Sequence, residues 1–104
     1  MEQEKECVQQ TIHIIQQTTE LFYRQKQEEG VRKMQDAIAA ITQMVDKLHQ
    51  YVEEHENFAY DELTIVKSLT EAMEAMEAGD TVLLADILEY DFVEYLQEAI
   101  ESMN

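Results

Sequence analysis

Across its 104 residues the chain has no proline, and glycine occurs only at positions 30 and 79. A sheet fold of this length needs a turn every ~8–12 residues, and tight turns draw on Gly and Pro for backbone angles other residues resist. Two punctuation points in so long a stretch favour a few long helices. Gly30 and Gly79 each fit the left-handed position just past a helix end. The sequence therefore predicts helices over residues 4–28, 31–55, 61–78 and 81–102. Short connections at the glycines make their neighbours antiparallel. The expected fold is all-α, an antiparallel up-and-down four-helix bundle filling residues 1–104 as a single domain.

Apolar spacing supports that division. In the first helix Val8, Ile12, Ile15, Thr19 and Phe22 recur at four- and three-residue steps, one face of a 3.6-residue helix, with Cys7, Ile14 and Leu21 beside them. In the second, Val31, Met34, Ile38, Ile41, Val45, Leu48 and Val52 form the expected core stripe, flanked by Ala37, Met44 and Tyr51. The pattern breaks between Glu56 and Asp61, where Asn57 or Asp61 would cap the third helix. Ile65, Val66, Leu69, Ala72, Met73 and Met76 are its expected inner face, and Asp80 caps the fourth. On a single helical wheel for the fourth helix, Leu84, Leu88, Phe92, Tyr95, Leu96, Ala99, Ile100 and Met103 face inward. Leu83, Ile87 and Tyr90 then fall on the wet side as an apolar ridge, and Glu89 falls inside the apolar arc. Such departures from patterning are where function is expected.

Charge narrows the function classes. Twenty-three acids against seven bases give a formal charge of −16, the wrong sign for phosphate contacts, so neither nucleic acid nor an anionic membrane is an expected partner. Arg24, Lys26, Arg32 and Lys33 gather at the first interhelix turn, whereas Ser68 to Asn104 holds ten acids and no base. A single cysteine, Cys7, a polar Met1–Glu6 start without a signal-peptide core, and no apolar run near ~20 residues predict a cytoplasmic protein with a reduced thiol.

Catalytic motifs are absent: there is no Gly-rich phosphate loop, and no nucleophile and base can be paired from spacing. Cys7 reads as a small hydrophobe. His13 falls on a polar face, and His55 suits a helix C-terminus. No enzyme activity and no cofactor are expected. The weak metal candidates are Asp46, His49 and Glu53 on the second helix, one Asp-x-x-His pair with a carboxylate a turn on, too few ligands to hold an ion tightly.

The stretch from Glu77 to Phe92, which contains Gly79-Asp80-Thr81 and Leu83-Leu84-Ala85-Asp86-Ile87-Leu88, resembles a segment that recurs near the C-terminus of small acidic helical proteins of Gram-positive bacteria. That resemblance implies a bacterial cytoplasmic bundle and no activity. In size, acidity and helix content the chain is also similar to the export chaperones of flagellar and type III secretion systems, which implies binding of an amphipathic helix. The leading expectation is a non-enzymatic interaction module that binds a protein partner, or a second copy as a homodimer, through the acidic surface of helices three and four. Leu83, Ile87 and Tyr90 are its expected anchors, with Asp86, Asp91 and Glu94 around them. The alternatives are the export-chaperone-like binder, a metal-binding bundle, and, from charge alone, a mimic of DNA.

Overall fold

The structure, a computed structural model, describes residues 2–55, 58 and 60–103. Those residues form an all-α four-helix bundle, about 41 Å long. α1 is Glu2–Tyr23, α2 is Gln27–Glu54 and α3 is Glu62–Glu77. α4 covers residues 81–102 in three continuous stretches: α-helical Thr81–Asp86, a π-helical Ile87–Phe92, and α-helical Val93–Ser102.

Two turns at one pole have the same build. After α1, the Lys26 amide donates to the Leu21 carbonyl at 2.9 Å and the Gln25 amide to Phe22 at 3.0 Å. After α3, the Asp80 amide donates to Ala75 at 2.9 Å and the Gly79 amide to Met76 at 3.1 Å. Both are Schellman endings, which need a residue with positive φ. Gly79 supplies it at φ 73° and Gln25 at φ 61°. The first turn is therefore not at Gly30: α1 stops at Tyr23, short of the expected residue 28, and α2 begins four residues earlier than expected. Asp80 caps α4 through the Leu83 amide at 3.0 Å, and Asp61 caps α3 through Leu63 at 3.0 Å. Asn57, the other expected cap, lies outside the described residues.

Gly30 sits instead inside α2, buried against α1, where a Cβ would lie 2.6 Å from Cε1 of Phe22. It is there to let two helices approach. Farther along the same seam, Thr11 donates to its own Cys7 carbonyl at 2.8 Å and faces the Ala40 carbonyl of α2 at 3.4 Å. Thr18 satisfies its hydroxyl on Ile14 at 2.8 Å, so these polar residues are buried without an orphaned group. Phe22 beside Gly30 and Thr11 beside Ala40 set α1 and α2 antiparallel. The whole predicted α1 face, Val8, Ile12, Ile15, Thr19 and Phe22, is buried.

α1 packs along α2 on one side and along all three stretches of α4 on the other, while α3 packs along α4. This arrangement turns α2. Its buried residues are Gly30, Met34, Ala37, Ile41, Met44, Leu48 and Tyr51. The expected core residues Val31 and Ile38 are exposed, and Val45 and Val52 are half-buried. The buried face carries the small residues Gly30 and Ala37 among larger ones, and among the described residues no helix closes over the Val31–Ile38 flank. α3 is corrected in the same way: Ile65, Ser68, Ala72 and Ala75 are buried, whereas Val66 is exposed and Leu69, Met73 and Met76 are half-buried.

In α4 the buried Leu84, Leu88, Phe92 and Leu96 are four residues apart. Each four-residue step overshoots a full α-helical turn by ~40°, so three such steps drift ~120°. The wider i→i+5 turns of Ile87–Phe92 take up one extra residue and keep the row on the core. A single wheel places Leu84 and Leu88 inward and Leu83 outward, as found, but misplaces Ile87. Ile87 is consequently buried, at 7% exposure, and is not part of an outer ridge. Val93, left off the expected core face, is buried too.

Gly30→Ala sets a gain of ~1 kcal/mol in helix propensity against overpacking of ~1–3 kcal/mol, and is expected to lower stability in urea unfolding followed by circular dichroism. In a Phe22→Leu background, with the ring removed, the same substitution becomes stabilising by up to ~1 kcal/mol. Gln25→Gly relieves a left-handed side-chain residue and is expected to raise stability by ~1 kcal/mol.

Candidate functional site

The bundle brings the predicted partner-binding residues together only in part. Leu83 and Tyr90 are exposed, at 47% and 60%, and Asp86 lies between them on the outer strip of α4. With Ile87 turned inward, a residue from another helix completes the patch. The Tyr23 hydroxyl, at the end of α1, donates to Asp86 Oδ1 at 2.5 Å, and its ring is exposed. Desolvation first, and then the Asp86 carboxylate and nearby Tyr90 and Glu89, push that phenol well above the usual tyrosine range. One turn along, Glu89 accepts a hydrogen bond from buried Thr19 at 3.0 Å. Glu89 is thus half-buried at the α1–α4 seam, where the Thr19 hydroxyl answers its Oε2.

On the other side of Tyr90 a cleft of about 410 Å³ opens between α3 and α4. Lys67 and Glu71 line it from α3, and Tyr90, Asp91, Glu94 and Glu98 from α4. Asp91 and Glu94, both expected around the anchors, are exposed here. Tyr95 and Glu98 also line a second cleft of about 510 Å³ at the far pole, with Tyr60, Asp61, Ala99 and Ser102. The connector before α3 holds this end together through rings. Tyr51 stacks on His55 at 4.0 Å and meets Phe58 edge-on at 4.9 Å. The Tyr51 hydroxyl donates to the Met103 carbonyl at 3.1 Å, and Tyr95 accepts from the Asp61 amide at 2.7 Å. The Tyr60 hydroxyl is buried with no partner among the described residues, and desolvation, with Glu62 nearby, pushes it up to about 12.

The metal candidates all lie on α2. Asp46, His49 and Glu53 are all exposed, and His49 Nε2 lies 3.1 Å from Glu62 Oε1 across to α3. Among the described residues no group of three or more His, Cys, Asp or Glu side chains could hold an ion. Cys7 is half-buried, and burial pushes its thiol up, the opposite of an activated nucleophile. Among the described residues no helix is long and apolar enough to cross a membrane.

Sequence reasoning placed Tyr95 in the core and singled out neither Tyr23 nor Tyr60 nor Glu98. Tyr23 carried a usable signal, an aromatic one position past the α1 stripe and beside a basic run. Tyr60 lies in the break between helices, where no periodicity exists to orient it. A family model described as "Domain of unknown function (DUF8042)" matches residues 1–102. No curated protein and no solved structure matches the chain.

Folding raises the phenols of Tyr23, Tyr60 and Tyr95. A raised acid stabilises the fold fully below its unfolded pKa of ~10 and loses that contribution as pH climbs through the folded value. Stability is expected to fall above pH ~10, and ultraviolet titration should show phenols ionising late. Tyr60→Phe should remove one late phenol at no cost in urea stability, since its hydroxyl is unpartnered, whereas Tyr51→Phe should cost ~1 kcal/mol by stranding the Met103 carbonyl.

Proposed function

We propose, for a chain that belongs to the DUF8042 family of domains of unknown function, that it is a non-catalytic docking module. Its acidic α3–α4 hairpin receives a partner protein that carries a basic, apolar segment. The observation that carries this reading is the company kept by the exposed Leu83 and Tyr90: Tyr23 beside them, carboxylates around them, and no base anywhere from Ser68 to Asn104. An apolar centre with carboxylates around it supplies contact area together with steering, and steering sets partner choice and association rate. Asp86, Asp91 and Glu94 provide the ring.

Charge also separates the partner reading from a symmetric dimer. A two-fold seam here would set Asp86, Asp91 and Glu94 against their own copies, on molecules of formal charge −16. A basic partner meets no such repulsion. The same reading places the protein in the cytoplasm, where Cys7 stays reduced.

The test is a photo-crosslinking residue at position 83 or 90 of the full chain in its native cells, with position 54 on α2 as control. The expected result is one partner, basic over its crosslinked segment, captured from 83 and 90 and not from 54. With that partner purified, Leu83→Ser with Tyr90→Ser should weaken binding by at least ~30-fold, about 2 kcal/mol, and leave the urea midpoint unchanged. Crosslinks only between copies, or equal capture from all three positions, overturn the reading.

A further inference from the structure

Two neighbouring clefts beside α4 share Tyr95 and Glu98 as a common wall: one lies between α3 and α4, and the other between α4 and the connector before α3, where Tyr60 and Asp61 line it. Together they line α4 over the thirteen residues from Tyr90 to Ser102, or ~18 Å of helix rise. The far end is walled by Tyr60, Tyr95 and Ala99, and the near end by carboxylates. Asp61 is already engaged, since its two oxygens accept from the Leu63 amide at 3.0 Å and the Thr64 hydroxyl at 2.8 Å. Asp91, Glu94 and Glu98 differ: they are exposed, and no ion pair or hydrogen bond to their side chains occurs among the described residues. Lys67 is the one cation among the described residues lining these clefts.

We infer that the groove along these clefts seats a helical segment of the partner protein whose arginines, one helical turn apart, pair with Glu94 and Glu98 and lie against Tyr95. The inference rests on the docking reading above and names the chemistry that the hairpin recognises. Glu94 and Glu98 are four residues apart on one helix, so their carboxylates are spaced like side chains i and i+4 of a helix laid alongside. Guanidinium suits the site better than ammonium, because its flat face stacks on a phenol ring while its edge forks onto a carboxylate. A second copy of the chain could offer Arg24 and Arg32 from its basic pole, but only against the repulsion between two strongly acidic molecules.

The probes are amphipathic helical peptides of ~18 residues, followed by fluorescence anisotropy with the full chain near physiological salt. One carries arginines at i and i+4, a second the same arginines redistributed around the helix, and a third lysines in place of the arginines. The expected order is in-register arginine tightest, with the other two several-fold weaker. Glu94→Gln with Glu98→Gln is expected to weaken the in-register peptide at least ~10-fold, whereas Asp46→Asn with Glu53→Gln, an equal change of charge on α2, should weaken it less than ~2-fold. All four positions are exposed, and unchanged urea midpoints check that the fold is kept. Equal losses in the two double variants, or no preference for arginine or for register, would mean diffuse attraction and overturn the groove. Self-association through the groove in light scattering, abolished by the groove pair, would overturn it in favour of a second copy. Partner capture from positions 83 and 90 that survives the groove pair would overturn this inference alone and leave the docking reading standing. Absence of that capture strikes the docking reading, whatever the peptides do.

Discussion

The close contact of α1 with α2 is the constraint on which the rest of the bundle depends. Phe22 lies over Gly30, and Thr11 faces the Ala40 carbonyl, so the two backbones approach closely through small residues. Close approach fixes antiparallel register and consumes the Met34–Ala37–Ile41–Met44–Leu48 face of α2 against a single neighbour. α1 then presents its other side, through Thr19 and Tyr23, to α4. α3 joins through α4, which leaves the hairpin of α3 and α4 with a groove on its outer side. A side chain on Gly30 would push on the ring around which this arrangement turns.

α4 solves a different problem. It must cover both α1 and α3 along its length, and its four-residue apolar steps would carry the row off the core in a regular helix. The π turn resets the phase within Ile87–Phe92 and turns Ile87 inward. Glu89, inside the apolar arc even on a regular wheel, lies at the α1 seam, where Thr19 answers its carboxylate. Leu83 and Tyr90 are left outside, close to Tyr23. The exposed patch is therefore assembled from two helices by a local change of winding, in keeping with the tendency of π turns to fall where a helix does something besides packing.

Electrostatics then distinguishes the faces of an otherwise ordinary bundle. Among the described residues, Arg24 with Glu20, Lys33 with Asp36, and His49 with Glu62 are surface contacts of little energetic weight. Glu94 and Glu98 stand beside Tyr95 in a cleft that Lys67 also lines, and neither is in an ion pair among the described residues. The proposed docking role rests on these carboxylates and the rings beside them.

The helix count, the α1 face, the Asp61 and Asp80 caps and the partition of charge were legible in the sequence, because each depends on neighbours within a turn or two along the chain. Leu83 and Tyr90 could be named as exposed for the same reason. Where the first turn falls, which side of α2 is buried, and whether Ile87 points in or out were not legible. Gly30 looks like a cap until Phe22 is known to lie over it, and Gln25 takes the left-handed position against its own preference. The face of α2 depends on which helix covers it, and the winding of α4 on two neighbours it must satisfy together. Periodicity along one helix identifies an apolar side only as finely as a wheel allows, and the last ~100°, one residue's rotation, is decided by packing between helices.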